Sequence, residues 1–218
     1  MNIFEEISKY LNHHETVNII ISGVSCSGKS TLAKKLQKHF GEQYQVTVVQ
    51  QDEYFKNLSD IPKIPKGYLT DSVEAFHSEE FKNDVQKLLN ENVAIMPKYD
   101  IATNTRISKN KIVRKGKINI FEGLHTIHIL NGLENCIKIF VDTDINTCLT
   151  RRINRDTTKF SIPEEIIIRH WNNCIKPMNE NYILPQKQFA DIILNSKGGA
   201  KKWQLSKFMS NYLKQNGQ

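Results

Sequence analysis

The run Gly23-Val24-Ser25-Cys26-Ser27-Gly28-Lys29-Ser30 fits the spacing G-x-x-x-x-G-K-[ST], which binds the phosphates of a nucleotide. Each fixed position has a physical job. Glycine adopts backbone angles closed to other residues, so successive N–H groups can converge on phosphate oxygens. Lys29 brings a cation to the β- and γ-phosphates, and the Ser30 hydroxyl can ligate Mg²⁺. Gly23, Ser25, Cys26, Ser27, Gly28, Lys29, Ser30 and Thr31 are therefore the candidate nucleotide-binding set.

Three further places carry chemistry-bearing groups. Asp52 follows a β-branched run, where a carboxylate can accept a proton from a substrate hydroxyl or simply cap a helix. Glu122 closes the run Ile-Asn-Ile-Phe, a place for an acidic group that orients Mg²⁺ and its waters; the alternative is a surface carboxylate. Arg151, Arg152 and Arg155 cluster near the end of a predicted helix. Such arginines can neutralise charge on a transferring phosphoryl group, or sit on a solvated face near the negative end of the helix dipole.

The elements needed to position these groups are legible. Residues 16–21 read as a buried strand and 31–40 as an amphipathic helix ended by Gly41, the strand–loop–helix context that the phosphate loop requires. Further strands are expected at 45–50, 92–96, 106–114, 117–121, 136–142 and 190–194. Helices are expected within 72–90, over 144–155, from Pro163 towards Pro177, and from a Gly198-Gly199 turn through Leu213. Residues 57–71 read as a loop and 157–162 as a loose polar segment. Strands alternating with helices predict a parallel sheet covered on both faces. Ligands then gather beyond the carboxyl ends of its strands.

The 218 residues suit one domain with a small mobile insert, and 39% hydrophobic residues against 24% charged ones describe a globular chain. The net charge of +7 comes from scattered lysines without a basic run or an RNA-binding aromatic signature, so nucleic acid is not the expected substrate. Cys26, Cys136, Cys148 and Cys174 form no C-x-x-C pair, which argues against a zinc site. A phosphate-loop enzyme in a reducing cytosol needs no disulfides, so a cytoplasmic location is expected. Residues 1–14 carry Glu5 and Glu6 and read as a short packing helix rather than a signal peptide. No apolar run approaches the length of a membrane span. Trp171 and Trp203 read as packing residues.

Taken together, these motifs resemble the uridine kinase family of P-loop kinases, related to phosphoribulokinase and nicotinamide riboside kinase. Gln51-Asp52-Glu53-Tyr54-Phe55 is similar to the family's Q-D-x-F-Y segment, and Asp71 with Phe76 to its D-x-P-x-A-F segment. Pro97-Lys98-Tyr99-Asp100-Ile101 through Arg106 resembles the P-x-Y-D-F…R hairpin. Phe121-Glu122-Gly123 resembles the E-G segment. Residues 140–156 match F-V-D-x-D…R-R-x-x-R-D, while Lys176-Pro177-Met178 and residues 189–193 resemble K-P-M and Y-A-D-x-I-I.

The resemblance implies an α/β three-layer P-loop fold with a core parallel five-stranded sheet, a hairpin near 97–115 and a helical lid near 155–163. It implies transfer of the γ-phosphoryl of ATP or GTP to the 5′-hydroxyl of uridine or cytidine, with Mg²⁺. The implied catalytic set is Asp52 as base with Lys29, Arg152 and Arg155. Ser30 and Glu122 serve the metal, and Asp52, Asp71, Tyr99, Asn104, Arg106 and Arg155 hold the acceptor. Three positions depart from the family: Asn104 replaces a base-reading histidine, Ile101 a stacking aromatic, and residues 157–161 an R-G-R stretch. A kinase for another small alcohol (nicotinamide riboside, pantothenate or ribulose phosphate) therefore stays open, as does an NTP-driven switch or nucleic-acid-associated ATPase. A homo-oligomer is compatible with the resemblance.

Overall fold

The computed structural model describes residues 3–101, 103–197 and 200–205. The chain opens with α1 (Ile3–Leu11), β1 (Val17–Ser22), α2 (Lys29–Phe40) and β2 (Val46–Gln50). A long connection follows, holding only 3₁₀ turns and the two-residue strands β3 (Lys63–Ile64) and β4 (Gly67–Tyr68). Next come α3 (Ser78–Glu91), the antiparallel pair β5 (Val93–Asp100) and β6 (Thr105–Arg114), β7 (Ile118–Gly123) and α4 (Thr126–Ile129). The remainder is β8 (Cys136–Asp142), α5 (Ile145–Phe160), α6 (Glu164–His170), wide π-type and 3₁₀ turns to Phe189, β9 (Ile192–Lys197) and β10 (Ala200–Leu205).

The main sheet has the order β10-β9-β8-β1-β7-β2. Its five strands from β9 to β2 are parallel, and β10 runs antiparallel at the edge. β1 and β7 are buried along their whole length because both faces of the sheet are covered; most of their residues are apolar, and the buried Asn18 and Asn119 bond to each other at 3.1 Å. Ile19 and Ile21 pack with α1 and α2 on one face. Ile20, Phe121 and Phe140 pack with α3 and the helical turns beyond α6 on the other. This is the expected three-layer arrangement. β1 lies between β8 and β7, so the loop after it opens where the connections diverge to opposite sides, the usual ligand crevice of such sheets.

Two expectations require correction. The segment 157–162 is not loose: α5 continues to Phe160. Asp144 caps its start by accepting from the Thr147 N–H at 3.0 Å, and the Thr157 hydroxyl bonds back to the Ile153 carbonyl at 2.7 Å. The helix stops only at Ser161, which takes the left-handed conformation at φ 54°. The second correction concerns residues 200–205, which form β10 against β9 and not the start of a helix, with Trp203 opposite Leu194 in the ladder. Gly198, Gly199 and residues 206–213 lie outside the described residues. Smaller shifts also occur. β7 carries Glu122 and Gly123 within the strand, and the strand expected at 190–194 begins at Ile192. Among the described residues no helix is long and apolar enough to cross a membrane.

Candidate active site

The phosphate loop joins β1 to α2. Gly23 has φ +153°, and a Cβ there would lie 2.6 Å from the Val141 carbonyl oxygen, so the loop can pass beside β8 only with glycine. Gly28 precedes α2 at φ +108° and offers no side-chain cap. The first N–H groups of α2 therefore remain available to an anion at the positive end of the helix. Thr143 ties the loop to the end of β8 through its hydroxyl, which donates to the Ser27 carbonyl at 2.7 Å. Lys29 is almost buried, and its ammonium donates to the Val24 carbonyl at 3.0 Å.

Two cavities meet at this loop. One, of about 500 Å³, is lined by the loop from Cys26 to Thr31, by Leu194 and Asn195 at the end of β9, and by Arg151. The other, of about 300 Å³, lies on the opposite side and is lined by Asp52, Asp71, Tyr99, Asn104, Glu122 and Arg152, among others. Cys26, Lys29, Ser30 and Arg155 belong to both. Asp52 faces only the second.

Asp52 sits in the 3₁₀ turn directly after β2, its side chain open to the cleft with protein atoms crowded around the carboxyl group. That desolvation, with the negative charge of Glu122, pushes its pKa up to about 6, against the opposing pull of Lys29. Glu122 is buried, and the Gln50 side-chain amide donates to its Oε1 at 2.8 Å. A serine hydroxyl and a carboxylate are hard oxygen donors, so Ser30 and Glu122 suit Mg²⁺ bound together with phosphate oxygens.

Asp71 is buried, with Oδ1 accepting from the Thr70 hydroxyl at 3.2 Å and lying 3.8 Å from Arg152. Its Oδ2 is buried and has no hydrogen-bond partner, a costly arrangement that a ligand donor would relieve. The loop bearing Asp71 is fixed from beneath by His125, whose Nε2 donates to the Asp71 carbonyl at 2.9 Å. Burial holds the His125 pKa down at about 4, so the ring is neutral.

The three arginines are held by the phosphate loop and by Asp156. Arg151 donates to the Cys26 and Ser27 carbonyls, both at 3.3 Å. Arg152 reaches the Ser25 hydroxyl at 3.1 Å and Asp156 at 3.3 Å. Arg155 binds the other oxygen of Asp156 at 2.6 Å and keeps its guanidinium at the junction of the two cavities. Buried Asp156 thus aims two arginines at once.

The acceptor wall departs from expectation at Arg106. Its guanidinium is held by Glu80 at 2.6 Å and does not line the second cavity, so it braces the β5–β6 hairpin against α3. Glu53 accepts from the Tyr99 N–H at 2.7 Å and Asn57 from the Arg106 N–H at 3.0 Å, fastening the same hairpin to the turn that carries Asp52. Tyr99 and Asn104 do line the cavity, Asn104 from a turn at φ 52°.

Residues 18–201 match the model of the "Phosphoribulokinase / Uridine kinase family". The chain belongs to this family. A uridine kinase of Clostridium perfringens (strain SM101 / Type A) is 34% identical over 184 residues, 82% of this chain and 86% of that protein. Solved structures share the fold at lower identity. D-glycerate 3-kinase from Cryptococcus neoformans has a TM-score of 0.61 at 14% identity, covering 94% of this chain and 98% of that one. Phosphoribulokinase from Rhodobacter spheroides has 0.54 at 16%, covering 83% and 70%. As a member of the phosphoribulokinase / uridine kinase family, the chain is an ATP-dependent phosphotransferase of the P-loop kinase type.

Several residues of this candidate site carry no distinctive signal in the sequence. Gln50, Glu53, Glu80 and His125 act through partners 26 to 72 positions away in the chain. Asp156 was visible only as the last letter of the arginine motif.

Proposed function

We propose that this kinase transfers the γ-phosphoryl group of ATP or GTP to the 5′-hydroxyl of uridine or cytidine. The observation that carries the reading is the shared boundary of the two cavities. Lys29, Ser30 and Arg155 stand at the junction, and Asp52, in the turn after β2, lines the acceptor-side cavity and not the other. The reading treats the chain as a single kinase domain, with residues 97–115 as the acceptor hairpin and 155–163 as the lid. A cytoplasmic location belongs to the same reading.

In this scheme the N–H groups from Gly28 to Thr31 and the Lys29 ammonium receive the β- and γ-phosphates. Lys29 exchanges the Val24 carbonyl for phosphate oxygen. Bound Mg²⁺, held through Ser30 and Glu122, would neutralise phosphate charge. The unpartnered Asp71 Oδ2 accepts from the acceptor's secondary hydroxyls and so fixes the reacting hydroxyl near Asp52. The hydroxyl oxygen bonds to the γ-phosphorus as the bond to the β-bridging oxygen breaks, and Asp52 takes the hydroxyl proton. A base with a pKa near 6 is ionised at neutral pH yet basic enough to accept that proton. Arg155 offsets charge spreading over the equatorial oxygens, held in aim by Asp156.

A second reading, a kinase for another small alcohol, is favoured by Ile101 and Asn104 on the acceptor wall, which lack a stacking ring and an imidazole. A coupled ADP-release assay with Mg²⁺-ATP separates the two. The panel contains uridine, cytidine, other nucleosides, nicotinamide riboside, pantothenate and ribulose 5-phosphate. Turnover dominated by uridine or cytidine supports the nucleoside reading, and turnover confined to another acceptor replaces it.

A further inference from the structure

A third cavity, of about 610 Å³, lies beneath the end of α5 and the start of α6. It shares Thr70, Ile101, Asn104, Arg152, Arg155 and Phe160 with the acceptor cavity, so the two are continuous. It does not reach Asp52, Lys29, Ser30 or Glu122. An acceptor whose hydroxyl sits at Asp52 and whose neighbouring hydroxyls sit at Asp71 therefore points its far end, the base, into this space.

The chemistry of that space is mostly apolar. Ile101, Phe160, Ile162, Ile166 and Ile167 all line it. Ile101 and Ile166 are each 49% exposed, which leaves apolar surface uncovered at this cavity. The polar groups are Asn104, Thr70, His170, whose Nε2 is already engaged by the Tyr68 carbonyl at 2.8 Å, and the charged cluster Arg152, Arg155 and Asp156, whose members pair with one another. A bare pyrimidine ring reaching Asn104 would leave this apolar surface in water.

We infer that the acceptor site takes nucleosides whose base bears an apolar extension larger than a methyl group, the extension lying against Ile101 and Ile166. This rests on the nucleoside reading above and adds the class of base. Each methylene removed from water contributes roughly 0.8 kcal/mol, or about a fourfold gain, before ordering costs. A three-carbon extension is therefore expected to raise kcat/KM on the order of tenfold over its parent nucleoside.

The test compares uridine with 5-propyluridine and cytidine with N4-propylcytidine, by ADP release and by calorimetric binding without ATP. At least one extended nucleoside should exceed its parent about tenfold in kcat/KM and in affinity. Ile166→Ser should lower that ratio severalfold. Ile95→Ser, at a residue 52% exposed that lines none of the three cavities, should leave the ratio at its wild-type value. If the parents turn over and both extended forms are equal or poorer, the inference is overturned. If no nucleoside binds or turns over, the nucleoside reading falls and takes this inference with it.

Discussion

Gln50 and Glu122 stand opposite each other in the β2–β7 ladder, and the Gln50 amide donates to the Glu122 carboxylate at 2.8 Å. The bond occupies Oε1 of the carboxylate that suits the metal. It also spreads the charge that does most, after burial, to raise the Asp52 pKa. Removing it by Gln50→Leu is expected to raise the Mg²⁺ concentration for half-maximal activity by about tenfold, the scale of a lost outer-shell contact. A Mg²⁺ titration of activity checks this, and an unchanged half-point would free Glu122 from Gln50.

Asp52→Asn separates catalysis from stability. Turnover should fall by at least ~10², the scale of general-base catalysis. The thermal midpoint should rise, because the folded state disfavours the Asp52 charge. The sign follows from the pKa, raised from 3.8 to about 6: the folded protein holds the proton more tightly than the unfolded chain. Stability contributed by this group is thus full below pH 4 and is lost as pH climbs through 6. Activity runs the other way, with kcat/KM rising through about pH 6 to a plateau. A flat profile from pH 5 to 7 would remove Asp52 as the titrating base.

Asp156 is predicted to matter as much as the arginines it holds. Arg155→Ala should cost ~10³ in kcat if the guanidinium meets the transferring group. Asp156→Ala should lose comparable activity. It should also destabilise the fold by about 3 kcal/mol, since Arg152, whose side chain is 12% exposed, loses its nearest carboxylate. A double-mutant cycle in chemical denaturation and in kcat would reveal the coupling as non-additivity.

The two loop glycines should fail differently when replaced by alanine. At Gly23 the added carbon meets the Val141 carbonyl, so the loop must move and nucleotide binding should drop together with stability. At Gly28 no atom lies within 4 Å, and the cost is conformational alone, about 1–3 kcal/mol at φ +108°. Thermal shifts measured with and without Mg²⁺-ATP distinguish the cases. Equal losses in the two variants would refute the steric account of Gly23.

What the sequence determined by itself was local or periodic. The phosphate loop was legible because glycines, lysine and serine act within one turn of chain. The central strands were legible because a strand buried on both faces must be apolar throughout, as residues 17–21 are, apart from Asn18. The acidic groups Asp52 and Glu122 could be placed at strand ends by counting. Tertiary structure alone decided which groups meet. Arg106 looks like a substrate-binding residue until Glu80, on another element, claims it. Residues 157–160 look loose from their polar composition, yet stay helical to the Ser161 stop beside a buried Asp156 that pairs two arginines. The edge strand β10 exists because β9 presents unpaired backbone groups to it. Hydrogen bonds and ion pairs depend on distances of a few ångströms between residues far apart in the chain. Those distances are set by packing, which no single stretch of sequence contains.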